Sequence, residues 1–192
     1  MFTEDYILRM INQAIAVLQH LLRMKRAGQY QQALQAADTA LETLLGLRAS
    51  LLRQLDDEKM LSMLILNGEL DLERLSLLAQ VFNAESEVLN QLGRPPEALL
   101  AARRALRFSL ELVLNDPARL NEEQIALIES LRRQLQGTLL PLPIRLACLD
   151  YLEALRAQPP QHLAAAGVDP QTLEAEIRAL QAELDDASPP LL

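Results

Sequence analysis

Two histidines, one cysteine, an acidic triplet and two arginine clusters are the groups in this sequence that could carry chemistry. A metal site needs His, Cys or carboxylate ligands gathered at turn or helix spacing. His20 lies in AVLQHLLRM and His162 in QPPQHLAAA, and neither has such a neighbour one helical turn away. Cys148, in RLACLDYL, reads as a small buried hydrophobe rather than a nucleophile. Asp56-Asp57-Glu58 precedes an apolar run, so it reads as the acidic start of a helix rather than as a catalytic cluster. A glycine-rich phosphate loop and a nucleophile elbow are both missing. These features point away from an enzyme, and no metal or cofactor is expected.

The arginines raise a different possibility, since Arg103, Arg104 and Arg107 cluster, as do Arg132 and Arg133. Phosphate binding, however, needs a concentrated basic field. The chain has a net charge of −8 and a pI of about 4.8, which argues against nucleic acid. Both clusters are therefore read as solvated helix faces. The longest apolar stretches, such as Leu61–Leu70, fall short of the roughly 18 residues of a spanning helix, so membrane insertion is not expected. MFTEDYILRM lacks the basic and apolar regions of a signal peptide, and a lone cysteine cannot form an internal disulfide. Together these predict a cytoplasmic protein.

Half of the residues are apolar but only 3% are aromatic, so a core must be built from Leu, Ala, Ile, Val and Met. Met10, Met24, Met60 and Met63 fall at core spacing. With Gln, Glu and Arg between them, these are mostly strong helix formers, and no segment alternates as a strand would. The class is all-α. Thr3 is the expected cap of a first helix, with Phe2 packing on Ile7, and the apolar stripe runs to Ala27, where Gly28 ends it. A second helix is expected from Tyr30 through Gly46 to about Gln54, with Ala33, Leu34, Ala37, Ala40 and Leu41 on its apolar face. DDEKMLSMLILNG reads as a short helix stopped by Asn67-Gly68; Met60–Leu66 leaves it almost no polar face, so it should plug the bundle.

A long helix follows from about Leu70 to Leu92, and another from Pro95-Pro96 to about Leu114. Asn121 and Gln124 resemble a capping box for a helix to Gln136. Pro141 and Pro143 lead into a helix from Ile144 to Ala157, and Asp169-Pro170 starts the last one. The expected organisation is a helical body over 1–157, a linker over 158–168, a C-terminal helical appendage over 169–185 and a frayed tail over 186–192.

GQYQQALQAADTALE and GRPPEALLAARRALR share a pattern: a glycine, then Ala-Leu five residues on and again seven later. Ala33 and Ala40 hold these places first, and Ala98 and Ala105 second. Small residues seven apart share a helix face and admit a neighbouring helix closely, so each stretch predicts an antiparallel helical hairpin. The pattern resembles the second half of a tetratricopeptide repeat, over about Ala14–Leu47 and Ala79–Leu112. The aromatic and glycine usual in the first helix of such a unit are absent, and so is a closing proline. The first hairpin, with FTEDYILRMINQ before it, also resembles a group of bacterial helical-repeat proteins of unknown function.

The resemblance implies a groove on the inner face of each hairpin's first helix. In the second hairpin that register presents Asn83, Glu87, Asn90 and Gln91, whose amides could meet a peptide backbone while Glu87 takes a Lys or Arg. In the first hairpin it presents Leu18, Leu22, Lys25 and Arg26. The expected function is a non-enzymatic scaffold or adaptor that holds a protein or peptide partner. Self-association as a structural homodimer is the alternative, and a small-molecule sensor with an apolar pocket between helices is a third class.

Overall fold

The structure, a computed structural model, describes residues 2–159, 163–164 and 167–186. The side chains of Phe2 and Thr3, His162, residues 160–162 and 165–166 of the expected linker and residues 187–192 of the expected tail lie outside that set. The fold is all-α with packed helical hairpins. Its helices are α1 (Phe2–Arg26), α2 (Tyr30–Leu45), α3 (Ala49–Leu52), α4 (Asp57–Ser62), α5 (Leu72–Gln91), α6 (Pro95–Asn115), α7 (Glu122–Gln134), α8 (Leu142–Arg156) and α9 (Pro170–Asp186). The chain divides into two compact units, Met1–Ser109 and Leu110–Leu192, so the division falls inside α6 rather than in the expected 158–168 linker.

In the first unit the repeated glycine pattern is a repeated helix ending. After α1, Gly28 N–H donates to the Lys25 carbonyl at 3.1 Å and Gln29 N–H to that of Met24 at 2.9 Å. After α5, Gly93 N–H donates to the Asn90 carbonyl at 3.1 Å and Arg94 N–H to that of Leu89 at 3.0 Å. This paired bonding is the Schellman ending, which satisfies carbonyls a helix end leaves open. The chain then turns back at once, and α2 packs along α1 and against α5, while α1 also meets α5. The small face of α2 sits at these contacts: Ala33, Ala37 and Ala40 are fully buried and Ala36 nearly so.

Two expectations fail between α2 and α5. The second helix does not survive Gly46. It ends at Leu45, and Gly46 takes the left-handed conformation, φ 72°, with its N–H on the Glu42 carbonyl at 2.8 Å. The Glu42 carboxylate then accepts the Ala49 N–H at 2.9 Å and starts the one-turn α3. The second failure is the all-round apolar helix over Met60–Leu66. α4 stops at Ser62, and the chain forms a two-stranded antiparallel hairpin, β1 (Ile65–Leu66) and β2 (Glu69–Leu70). Asn67 and Gly68 are both at positive φ, 53° and 87°, the geometry a two-residue hairpin turn requires. Met60, Leu61 and Leu64 do enter the core, but Ile65 is 54% exposed.

The second unit contains the end of α6, α7, α8 and α9. Asn121 caps α7 by accepting the Gln124 N–H at 3.0 Å, but the reciprocal half of the expected capping box is not made, since the Gln124 side-chain oxygen is buried without a hydrogen-bond partner. α8 and α9 pack together. Arg145–Glu183 at 2.9 Å and Arg156–Glu174 at 4.0 Å bind opposite ends of the pair, so the two helices run antiparallel. α9 buries Leu173 and Ile177. The C-terminal helix thus packs on α8 and contributes to the core of the second unit. Among the described residues no helix is long and apolar enough to cross a membrane.

With Ala40 fully buried at the centre of the α2 face, Ala40→Leu should overpack the site and lower stability by about 1–3 kcal/mol. Chemical denaturation measures this; a midpoint equal to wild type would place the close contact elsewhere.

Candidate functional site

The four polar residues singled out on α5 occupy its outer face. Asn83 is half-buried and Glu87, Asn90 and Gln91 are exposed. Ser76 and Gln80 continue the same stripe toward the start of the helix and are themselves bonded, Gln80 Nε2 donating to Ser76 Oγ at 3.3 Å. Most of the remaining surface of α5 is buried, including Leu75, Leu78, Val81, Phe82, Val88 and Leu89. The stripe is therefore the side of α5 left open after α1 and α2 have packed on it.

Glu87 is not held for an outside cation. Lys25 of α1 already binds its carboxylate, and Asn83 Nδ2 donates to its other oxygen at 3.2 Å. The bridge joins the last turn of α1 to the C-terminal part of α5. The rim is consequently neutralised from within, and the open hydrogen-bonding groups on α5 are the amides of Asn90 and Gln91.

Beside this polar row, α1 exposes apolar side chains. Lys25 is on the α5 side, and one row outward Leu22, Ile15 and Leu8 follow at seven-residue intervals. Ile15 is 37% and Leu8 58% exposed, while Ile11 and Leu22 are half-buried. Leu18, expected in the groove, is buried instead, because it lies on the same side of the helix as Ala14 and Leu21. The face formed by α1 and α5 thus has an apolar row, an amide row and one ion pair across it.

The arginine cluster on α6 is a correction. Arg104 and Arg107 are not solvated; they are 4% and 7% exposed. Arg104 donates to the Leu55 carbonyl at 2.6 Å, the Arg53 carbonyl at 3.3 Å and the Asp57 carboxylate at 3.3 Å, and lies 5.5 Å over the Phe82 ring. It therefore closes the open carbonyls after α3 while pairing with the first turn of α4. Arg107 pairs with Glu58 at 2.8 Å. Phe82 in turn meets Phe108 with ring centroids 5.7 Å apart. The acidic triplet does start a helix, Asp56 accepting the Lys59 N–H at 2.8 Å. It also supplies the counter-charges for these buried arginines, a role its local sequence gives no sign of.

A second chain of charges links α2, α3 and α5. Arg53 donates to Asp38 and to Glu85, each at 2.5 Å, and Glu85 is 1% exposed with its second oxygen lacking a hydrogen-bond partner. Burial pushes the Glu85 carboxyl above its ordinary range, and Arg53 offsets this only in part. In the second unit, Arg132 is half-buried between Glu129 and Glu176, whereas Arg133 is exposed as expected. That unit holds a cleft of about 400 Å³ lined by leucines and by the Arg132–Glu176 and Arg145–Glu183 pairs. Cys148 is buried at its floor and its thiol is pushed up to about 11, so it stays protonated at neutral pH. Among the described residues no three His, Cys, Asp or Glu side chains gather as a metal site.

Comparison of the chain with protein-family models, curated proteins and solved structures finds no match.

Because Glu85 has a raised pKa in the folded state, the folded protein binds the proton more tightly than the unfolded one above the ordinary value of 4.5. Stability conferred by the protonated form is present below that value and lost as pH rises through the folded pKa. Wild type should therefore lose stability relative to Glu85→Gln as pH rises from about 4.5. Denaturation midpoints of both proteins across that range test this, and parallel profiles would contradict it.

Proposed function

We propose that this chain is a non-enzymatic protein–protein interaction module and that the face shared by α1 and α5 receives its partner. The observation that carries the reading is the apolar row of α1, Leu8, Ile15 and Leu22, running beside the amides of α5. An apolar stripe flanked by backbone-bonding amides suits an amphipathic helix or an extended peptide. The way α2 packs on both α1 and α5, and the two Schellman-ended hairpins, support a tetratricopeptide-like arrangement of the first unit. A bacterial, cytoplasmic setting belongs to the same reading.

The net charge of −8 disfavours an acidic partner, so a neutral or basic segment fits best. Glu87→Lys breaks the bridge to Lys25 and makes that end of the face repulsive to such a segment. Its cost to folding should be small, about 0.2–1 kcal/mol, because exposed pairs contribute little. Capture from the native cell with wild-type and Glu87→Lys baits, read by mass spectrometry, tests the site. A partner lost with the variant and regained with the Lys25→Glu, Glu87→Lys pair marks the bridge as a structural rim. Equal capture by wild type and Glu87→Lys would remove this face as the site.

A further inference from the structure

We infer that the helix seated on this face is α1 of a second copy, giving a twofold dimer. The inference rests on the α1–α5 face being the binding face. Four features of α1 select this occupant over an unrelated helix.

The first is spacing. Leu8, Ile15 and Leu22 recur at intervals of seven, and Asp5, Asn12, Gln19 and Arg26 alternate with them at intervals of three and four, so the row has one apolar and one polar heptad position. The second is exposure. Six of these seven are exposed and Leu22 is half-buried, so the seam is left open by the first unit's own packing. The inward side of α1 is by contrast filled by Ala14, Leu18 and Leu21.

The third feature is self-complementarity. Ile15 lies midway along the seam, with Leu8 seven residues before it and Leu22 seven after. An antiparallel copy related by a twofold axis at Ile15 sets Ile15 against itself and Leu8 against Leu22 of the second copy. Asp5 then comes within one residue rise, about 1.5 Å along the axis, of Arg26 of the second copy. The acid at one end meets the base at the other, twice, and the amides of Asn12 and Gln19 fall between the apolar contacts. An isologous interface requires this pairing of each residue with its mirror position. A parallel copy would instead place Asp5 on Asp5 and Arg26 on Arg26.

The fourth is charge. α1 carries four basic residues, Arg9, Arg23, Lys25 and Arg26, against Glu4 and Asp5, in a chain whose net charge is −8. Its two acids lie at the N-terminal end and three of the basic residues, Arg23, Lys25 and Arg26, lie in the last turn, so an antiparallel copy sets acid against base at both ends.

The test uses the purified full chain. Its mass in solution, read by sedimentation or light scattering over a concentration series, should approach twice 21.5 kDa at the upper end. Ile15→Lys removes the central contact at an exposed position and should weaken dimerisation by about tenfold or more, with unchanged helix content. Asp5→Arg alone should also weaken it, and Asp5→Arg combined with Arg26→Asp should restore it, because the swap rebuilds both end pairs. The swap decides the matter even if Ile15→Lys fails to fold. A mass of 21.5 kDa at every concentration overturns the dimer and leaves the interaction face to the capture experiment. A dimer indifferent to Ile15→Lys and to the charge swap overturns the seam, because association then uses another surface.

Discussion

The alanine face of α2 is the constraint on which the first unit depends. Ala33, Ala36, Ala37 and Ala40 carry almost no side-chain bulk, so α1 and α5 can both approach the α2 backbone closely. That closeness brings α1 and α5 against each other, and only then can Lys25 reach Glu87 across 62 residues of sequence. A larger residue at Ala40 would push one of the flanking helices away and open the face that both of them form. The bridge is a consequence of the packing rather than its cause, since a pair this exposed adds little to stability.

A second requirement is that the short segment between the hairpins be anchored. α3, α4 and the two-residue hairpin together are too small to bury a core of their own. Arg104 and Arg107 tie them down from α6, through the Arg53 and Leu55 carbonyls, Asp57 and Glu58. Burial pulls the Arg104 guanidinium below its usual range, with Asp57 opposing the shift, yet an arginine remains charged throughout the accessible pH range. Removing Asp57 would leave the buried Arg104 charge without its carboxylate, so that pair is costly to break, whereas Glu58 is largely exposed and its loss costs less.

Much of the architecture was legible because helix periodicity and helix endings are local. The spans of α1, α5, α6, α7 and α8 follow their apolar stripes, glycine stops and proline starts, and the small residues at Ala33 and Ala40 marked the close contact. The errors came where two local rules competed. Gly46 lies within an apolar run that favours continuing the helix, but its freedom to take φ 72° ended α2. Asn67-Gly68 is both a helix stop and a hairpin signal, and the patternless run before it gave no means of choosing. Burial of Arg104 and Arg107 was hidden for a different reason, because their counter-charges lie nearly 50 residues earlier in the chain. The apolar neighbours Ala101, Ala102, Ala105, Leu106 and Phe108 were the available signal that this part of α6 has no polar face. On the candidate site, the i, i+4, i+7 stripe of Asn83, Glu87 and Asn90 was readable, whereas the pairing of Glu87 with Lys25 depended on tertiary packing.

The central claim is that the outer row of α1 is a binding surface and not simply solvated apolar side chain. Methyl-resolved NMR of the full chain, recorded over a concentration series and then with a captured partner, tests it most directly. Leu8, Ile15 and Leu22 should shift or broaden as the face is filled, while Leu139, which is 86% exposed in the other unit, should not. Methyl signals of the α1 row that stay fixed while those of Leu139 or other exposed leucines move would contradict the account.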